Sequence, residues 1–351
     1  MDGQTGVNGA SGAGRINGSK GGGSRAGGTV FSGAYGDGIA FGDDAARSEE
    51  IRTRIKALLA DLPWDGVEYC HQVPGLSVYR LVAPLGPISR IYEPSLSLII
   101  QGSKRISVGE ETLTYDPSSF FVTAIGMPMT AHICEASLDE PYVAAVLRLD
   151  LDRLRRLIAE HDIPAHETPE RDRGITVGRT TPELLDALLR LLMLSRTPAD
   201  IPFLASHIQD EILYRLLSGE QGNRLRRFAL AGTNSHRLAR AISWLKENYT
   251  RPLRVEELAA IANMGVSTLH HHFRAMTAMS PLQFQKHLRL HHARELMLTE
   301  KIDAATAAIR VGYDSPTQFS REYRRKFGHP PGRDIRAILS SGHIPSRAPA
   351  E

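Results

Sequence analysis

Two short segments in the last third of the chain each place polar side chains on the side of a predicted helix opposite to its apolar residues. The first segment offers Ser267, His270 and His271, and the second offers Thr317, Gln318 and Arg321. Arginine can form paired hydrogen bonds with guanine, and glutamine with adenine, in the major groove of DNA. Neighbouring cationic side chains suit DNA phosphates, namely those of Arg274, Arg324 and Arg325. These residue types predict a surface that contacts double-stranded DNA.

Each segment is the second helix of a predicted helix-turn-helix unit. Leu269 and Phe273 are one helical turn apart and are predicted to face a core, and Phe319 and Tyr323 repeat that spacing. Gly312 suits the left-handed residue that a tight turn between helices requires. The predicted helix pairs are 255–262 with 267–276 and 304–311 with 315–327, joined by a long helix from 281. Two such units predict two recognition helices for successive major-groove segments, and a helical bundle without a nucleic-acid partner is the alternative.

The charge of the chain is unevenly distributed. The net charge is +3, but the segment from His236 to Arg336 holds 17 Lys and Arg against 9 Asp and Glu, which gives +8 there and −5 elsewhere. The same segment holds 8 of the 14 histidines. A basic module is the electrostatic pattern of a protein that binds DNA phosphates. A solvated basic face without a partner would have the same charge.

The composition is that of a globular protein, with 42% hydrophobic and 23% charged residues. No apolar run approaches the roughly 20 residues of a membrane-spanning helix, and no basic-then-apolar signal segment begins the chain. We therefore expect a cytoplasmic protein without a membrane partner. The segment 1–44 has Gly at 15 of its first 42 positions. It buries too little apolar surface to offset the entropy of ordering, so a disordered leader is predicted.

The next hundred residues, 45–150, are predicted to form a short helix and then a small β-barrel. The helix spans about 45–62, with Ile51 and Ile55 on its apolar face. Seven or eight short apolar or alternating runs follow and favour a barrel or jelly roll. In one of them, Leu96, Leu98 and Ile100 alternate with other residues, which suits a sheet with one face on a core. The segments 101–103 and 108–110 are predicted to be tight hairpin turns.

A helical linker or dimerisation segment is predicted at 151–232, between the barrel and the basic module. Leu184, Leu188 and Leu191 belong to an apolar stripe on a helix from about 182 to 217, with a break at Pro198 or Pro202. These helices could pack on the barrel or on a second copy of the chain. The DNA-binding module is assigned to 233–341, and a short tail to 342–351. The predicted fold class is multidomain α+β, with a cupin-like barrel followed by an all-α domain.

The segment from about 239 to 338 resembles the DNA-binding domain of the AraC/XylS family of bacterial transcription regulators. The resemblance rests on the motifs VEELA, STLHHHFR, MSPLQFQKHLRLHHAREL and VGYDSPTQFSREYRRKFGHPP. The stretch that begins HQVPGLSVYRL at His71 also resembles the cupin-like N-terminal domain of one branch of this family. By motif position, the resemblance implies base contacts at the six reading residues named above and phosphate contacts at Arg274 and Arg324.

The chain departs from the family pattern at the first reading face. Gly265 stands where a serine often begins the recognition helix, and glycine is tolerated as a helix cap at little cost. The adjacent His270 and His271 are less usual there. They leave the base preference of this half-site open and could make DNA binding depend on pH, because histidine titrates near neutral pH.

Few residues of the predicted barrel could bind a metal or react. It holds only His71 and His132, without the HxH spacing of metal-binding cupins, so we expect surface or hydrogen-bonded histidines and neither a metal nor a cofactor. Cys70 and Cys134 are the candidate redox-sensing residues, a role that requires a stabilised thiolate. The alternative is that both are small buried hydrophobic residues.

These observations predict a transcription regulator that is not an enzyme and that a small-molecule or redox signal at the barrel controls. The family resemblance implies an activator rather than a repressor. Its predicted partners are promoter DNA, RNA polymerase, an unidentified small-molecule effector and a second copy of the chain. Two alternatives stay open: a cupin-type enzyme tethered to DNA, and a barrel that binds proteins without a ligand.

Overall fold

The computed structural model of the chain describes residues 41–64, 66–109, 111–161, 163, 173–230 and 232–341. The predicted leader therefore lies outside the described residues except for its last four, which begin helix α1 (Phe41–Ala60). The predicted tail at 342–351 also lies outside them.

Antiparallel strands form the N-terminal half as two sheets rather than one closed barrel. The six-stranded sheet has the order β1-β2-β9-β4-β7-β10 and the four-stranded sheet the order β3-β8-β5-β6. The strands are β1 (Glu68–Cys70), β2 (Leu76–Leu81), β3 (Leu85–Tyr92), β4 (Ser95–Gln101), β5 (Ser103–Val108), β6 (Glu111–Tyr115), β7 (Ser119–Thr123), β8 (Met127–Glu135), β9 (Tyr142–Arg148) and β10 (Ile175–Arg179). Together with the helical domain below, this jelly-roll-like sandwich confirms the predicted fold class.

Strand β4 shows how the sandwich is layered. Leu96 and Leu98 pack into an apolar core with helix α1, whereas Ile99 points to the other side and packs with residues of the four-stranded sheet. The expectation of one buried face for this strand is wrong, because helices cover one face and the second sheet covers the other. Ser97, on the side of Ile99, is buried and lies within 3.1 Å of the Tyr115 hydroxyl, so its polar atom is satisfied.

The two predicted hairpin turns have different outcomes. Residues 108–110 connect β5 to β6, which pair directly, and Gly109 has a left-handed φ of 60°. Residues 101–103 connect β4 to β5, which belong to different sheets, so the prediction of a hairpin there is wrong. A side chain at Gly102 would come within 2.5 Å of the Glu135 backbone oxygen, so this crossing requires glycine.

Helices cover the outer face of the six-stranded sheet. They are α2 (Leu151–Glu160), α3 (Pro182–Met193), α4 (Ser206–Ser218) and α5 (Gly222–Ala229). Helix α3 buries the predicted leucine stripe against α1 and the sheet, and short 3₁₀ and π turns at 194–205 separate it from α4. The segment 151–232 is not wholly helical as predicted, because β10 lies within it and pairs with β7.

The C-terminal part of the described chain is all-helical. Its helices are α6 (Asn234–Glu247), α7 (Val255–Ile261), α8 (Val266–Thr277), α9 (Pro281–Thr299), α10 (Ala304–Arg310), α11 (Pro316–Phe327) and α12 (Pro331–Ser341). Leu269 and Phe273 of α8 are buried in a core shared with the sandwich, whereas Phe319 and Tyr323 of α11 are buried in a separate core. The inward positions predicted for both units are confirmed.

Candidate DNA-binding interface and effector cavity

Helix α8 presents the first predicted reading face. Gly265 is its N-cap with extended backbone, and Asn263 takes the left-handed φ of 50° in the preceding turn. Because Leu269 and Phe273 are buried, the opposite face of the helix is directed to solvent. The residues exposed there are Ser267, His270, His271 and Arg274. Their roles in binding DNA stay predictions.

Helix α11 presents the second predicted reading face. Ser315 caps the helix by accepting a hydrogen bond from the Gln318 backbone N–H at 3.3 Å. In the turn before it, Gly312 has a φ of 88°, and a Cβ there would lie 2.1 Å from the Thr250 backbone oxygen. The exposed residues of α11 include all five predicted to contact DNA, namely Thr317, Gln318, Arg321, Arg324 and Arg325.

Glu322 lies behind the second predicted reading face and binds one of its side chains, that of Gln318. It accepts hydrogen bonds from Lys286 Nζ at 2.9 Å, the Tyr313 hydroxyl at 2.8 Å and Gln318 Nε2 at 3.2 Å. Burial alone would raise the pKa of Glu322, but these three donors outweigh it and lower that pKa. The carboxylate thus stays ionised and orients the amide of a predicted base-reading residue.

Helix α9 connects the two units and fixes their separation. A capping box between Ser280 and Gln283 begins it, and its 19 residues span about 28 Å. Arg289 donates to the backbone oxygens of Tyr249 and Gly312, each at 2.7 Å. One guanidinium thereby joins the loop after α6 to the turn of the second unit. The motif containing Arg289 predicted only a rigid spacer.

A buried ion pair holds the last helix to the second unit. Asp334 of α12 accepts from Arg294 Nε at 2.8 Å and Nη2 at 3.0 Å, and from the Tyr323 hydroxyl at 2.7 Å. These contacts join α9, α11 and α12. Among all these partners only Gln318 lies on the same helix as its acceptor, Glu322. The other contacts join residues that are distant along the chain, so local sequence patterns did not predict them.

A cavity of about 210 Å³ lies inside the sandwich. Apolar side chains such as Leu81, Ile88 and Ile133 form much of its wall, and Tyr79 and Tyr92 add hydroxyl groups. Arg294 and Ile338, which belong to the helical domain, also line it. A ligand in this cavity would contact residues of both domains.

Comparison with known protein families identifies both parts of the chain. Residues 72–224 match the family described as "AraC-type transcriptional regulator N-terminus", and residues 258–337 match "Helix-turn-helix domain". The chain belongs to the AraC/XylS family. The first match includes β10, α3 and α4, which lie in the segment 151–232.

Individual relatives of this AraC/XylS-family chain match over shorter stretches. The transcriptional activator RhaS of Klebsiella pneumoniae is 31% identical over 106 residues, which are 30% of this chain and 38% of RhaS. The transcriptional regulator CdhR of Pseudomonas aeruginosa is 29% identical over 150 residues, 42% of this chain and 43% of CdhR. The chain therefore spans less than half of the length of either relative. A crystal structure of ToxT from Vibrio cholerae O395 has a TM-score of 0.50 at 11% identity, covering 78% of this chain and all of that one, and shows the fold alone.

The helical domain of this AraC/XylS-family chain is docked on its sandwich. Lys246 Nζ of α6 lies 2.6 and 2.8 Å from the two carboxylate oxygens of Glu93, in the turn between β3 and β4. The Gly174 backbone N–H donates to the Met276 oxygen of α8 at 3.1 Å. The first helix-turn-helix unit also shares its apolar core with the sandwich. The sandwich and helix α8, which carries the first predicted reading face, are therefore in direct contact.

The histidines and cysteines of the sandwich have distinct surroundings. His71 is buried, accepts from the Val73 backbone N–H at 3.1 Å and lies 3.1 Å from the Leu192 oxygen, which confirms a hydrogen-bonded histidine. Cys70 is exposed and Cys134 is half-buried, so the alternative that both are buried is wrong. No group of three or more His, Cys, Asp or Glu in the described part of the chain is placed to hold a metal ion. Within that same part, no helix has the length and apolar character needed to cross a membrane.

Proposed function

We propose that this chain is a sequence-specific transcription regulator of the bacterial cytoplasm, an activator whose DNA binding responds to a small molecule in the sandwich cavity. The observation that carries the proposal is the duplicated reading face. Two helices, each preceded by a tight helix-to-helix turn, expose their predicted base-reading side chains to solvent. Both helices belong to a module with a net charge of +8. Phosphate contacts would supply salt-dependent affinity and the reading faces would supply specificity.

The proposed division of labour follows the chain. The segment 45–150 receives the signal, 151–232 relays it or dimerises, and 233–341 binds promoter DNA. A second copy of the chain and RNA polymerase are the proposed protein partners. RhaS is a transcriptional activator and CdhR is a transcriptional regulator, which supports regulation over catalysis by the sandwich.

The position of the cavity supports control by a small molecule. Arg294 lines the cavity and also pairs with Asp334 and lies 3.5 Å from the Ser89 oxygen of β3. A bound ligand would therefore alter the surroundings of a side chain that anchors α12 to the second helix-turn-helix unit. Because such coupling is reciprocal, the ligand should change DNA affinity by the same factor by which DNA changes ligand affinity.

Redox control is the alternative signal, and the exposure of Cys70 favours it. Replacing Cys70 or Cys134 by serine should abolish the response of a promoter reporter to an oxidant in the variant that lacks the sensing thiol. An unchanged response in the variant with both replacements would remove this alternative.

Genome-wide mapping of bound DNA tests the proposed function. The full chain should occupy discrete promoter sites that share a sequence motif. A variant with alanine at Thr317, Gln318 and Arg321 should lose these sites while remaining folded, because all three side chains are exposed. Retention of the same sites by this variant, or binding without a shared motif, would contradict the proposal.

A further inference from the structure

The cavity of the sandwich carries an excess of positive charge. Its charged lining residues are Glu68, Arg90, Lys104 and Arg294. Arg294 is neutralised by its ion pair with Asp334. Two cations and one carboxylate remain, so the excess is a single positive charge.

Aromatic rings lie close to the two remaining cations, and Glu68 is an anionic neighbour whose charge helps to raise the pKa of Arg90. The Arg90 guanidinium lies 4.9 Å from the centre of the Tyr92 ring and 5.7 Å from that of Tyr79, and Lys104 Nζ lies 5.2 Å from the Tyr92 ring. Lys104 is only 6% exposed. No ion pair joins Arg90 or Lys104 to a carboxylate within the described ranges. Glu68 instead accepts a hydrogen bond from the Tyr79 hydroxyl at 2.6 Å.

The pKa of Tyr92 reflects the same two positive charges. Burial would raise the pKa of its phenol, but the positive charges of Lys104 and Arg90 outweigh burial and lower it. Tyr142, which also lines the cavity, is governed by burial and has a raised pKa. The electropositive part of the cavity is therefore local to Arg90, Lys104 and Tyr92.

A buried cation that no ion pair neutralises is costly, and an anion that binds beside it recovers part of that cost. A single excess charge matches a carboxylate, whereas a phosphate monoester would bring a charge of about −1.5 to −2. Leucine, isoleucine, alanine and valine side chains form much of the remaining wall and suit an apolar body. The cavity volume of about 210 Å³ is below the range of roughly 300–1,000 Å³ for drug-sized ligands.

We infer that the sandwich cavity binds a small apolar monocarboxylate, whose carboxylate is held by Arg90 and Lys104 and whose body packs between the two sheets. This assignment rests on the proposed function for the identity of the cavity as the effector site. Arg294 and Ile338 close the cavity from the helical domain, so the occupied cavity would include residues of both domains.

The test compares acids with their uncharged amides on the full chain. Benzoate, phenylacetate and hexanoate are titrated at millimolar concentration in parallel with benzamide, phenylacetamide and hexanamide, and binding is measured by calorimetry and thermal stabilisation. At least one acid should bind roughly tenfold or more tightly than its amide, since hydrogen bonds to charged partners are about twice as strong as neutral ones. Equal binding of acid and amide in all three pairs, or the absence of binding by every acid, would overturn the assignment.

Variants locate the carboxylate. Lys104→Met and Arg90→Met should each remove the preference for the acid over the amide, whereas the exposed Lys301→Met should leave it unchanged. An unchanged preference in both cavity variants would place the ligand elsewhere and overturn the assignment. If a cavity variant does not fold, the comparison of acid with amide on the unaltered chain still shows whether the cavity prefers a carboxylate.

DNA affinity measured with and without the bound acid separates this inference from the proposed function. An acid that binds through Arg90 and Lys104 but leaves DNA affinity unchanged would confirm the ligand class and contradict control of DNA binding by the cavity. Conversely, an uncharged ligand that fills the cavity and changes DNA affinity would support the proposed function and overturn the ligand class.

Discussion

Replacing Asp334 by alanine should strongly destabilise the second helix-turn-helix unit. The buried carboxylate accepts two hydrogen bonds from Arg294, at 2.8 and 3.0 Å, and one from the Tyr323 hydroxyl at 2.7 Å. Breaking a buried ion pair by removing one partner costs about 3–5 kcal/mol, because the remaining charge stays buried without compensation. Arg294 is largely buried, with a side chain 13% exposed, so water replaces the lost partner only in part. We expect the free energy of unfolding to fall by about 3–5 kcal/mol.

Urea denaturation followed by circular dichroism measures this loss. Tyr323→Phe removes only one hydrogen bond and should cost about 1 kcal/mol. Asp139→Ala, at an exposed carboxylate, serves as the control and should change the free energy of unfolding by less than about 0.5 kcal/mol. A loss below about 1 kcal/mol for Asp334→Ala would refute the view that this ion pair anchors α12 to the unit.

Three further predictions concern the same module. Arg321→Ala should lose about 1–3 kcal/mol of the discrimination between a cognate DNA site and its single-base variants, measured by fluorescence anisotropy. Arg324→Ala should weaken binding to all sequences alike and reduce the slope of log affinity against log salt concentration by about 1. Equal behaviour of the two variants would refute their separate roles. Gly312→Ala should lower the stability of the chain in urea more than Gly328→Ala. Both glycines have a left-handed φ, of 88° and 83° respectively, but only a Cβ at Gly312 would meet a backbone oxygen at 2.1 Å. Equal losses of stability would show that this steric clash is not the cause. Burial and nearby cations lower the pKa of His287 to about 4 in the folded chain. Between about pH 6.5 and 4 this histidine is therefore protonated in the unfolded chain but not in the folded one. The free energy of unfolding should fall as the pH drops through that range. His287→Leu should flatten this dependence in urea denaturation, and an unaltered slope would show that other groups cause it.

Local signals made much of the helical module predictable. Leu269 and Phe273 lie one turn apart on one helix, and that spacing alone places both of them in a core. The turn at Gly312 was equally predictable, because a tight turn between helices needs a left-handed residue and glycine adopts that conformation at least cost. The reading faces followed as the opposite sides of the same two helices.

Interactions between distant segments were not predictable from local patterns. Asp334 meets Arg294 and Tyr323 only because three helices pack together, and no spacing along the chain encodes that meeting. Strand β10 was missed because its five residues gain their structure by pairing with β7, more than fifty residues earlier. The charged cavity was missed because Arg90 and Lys104 lie on β3 and β5, where each alone has the sequence pattern of an ordinary strand residue.

Selection of binding sites from random double-stranded DNA by the full chain, at physiological salt, shows whether α8 and α11 read DNA sequence. Two reading helices held by one rigid connector should enrich a bipartite motif whose two blocks lie about 10 base pairs apart. Alanine at Thr317, Gln318 and Arg321 should erase one block and leave the other. Salt-dependent binding without any enriched sequence would contradict the account, because it would show a basic surface that holds DNA without reading it.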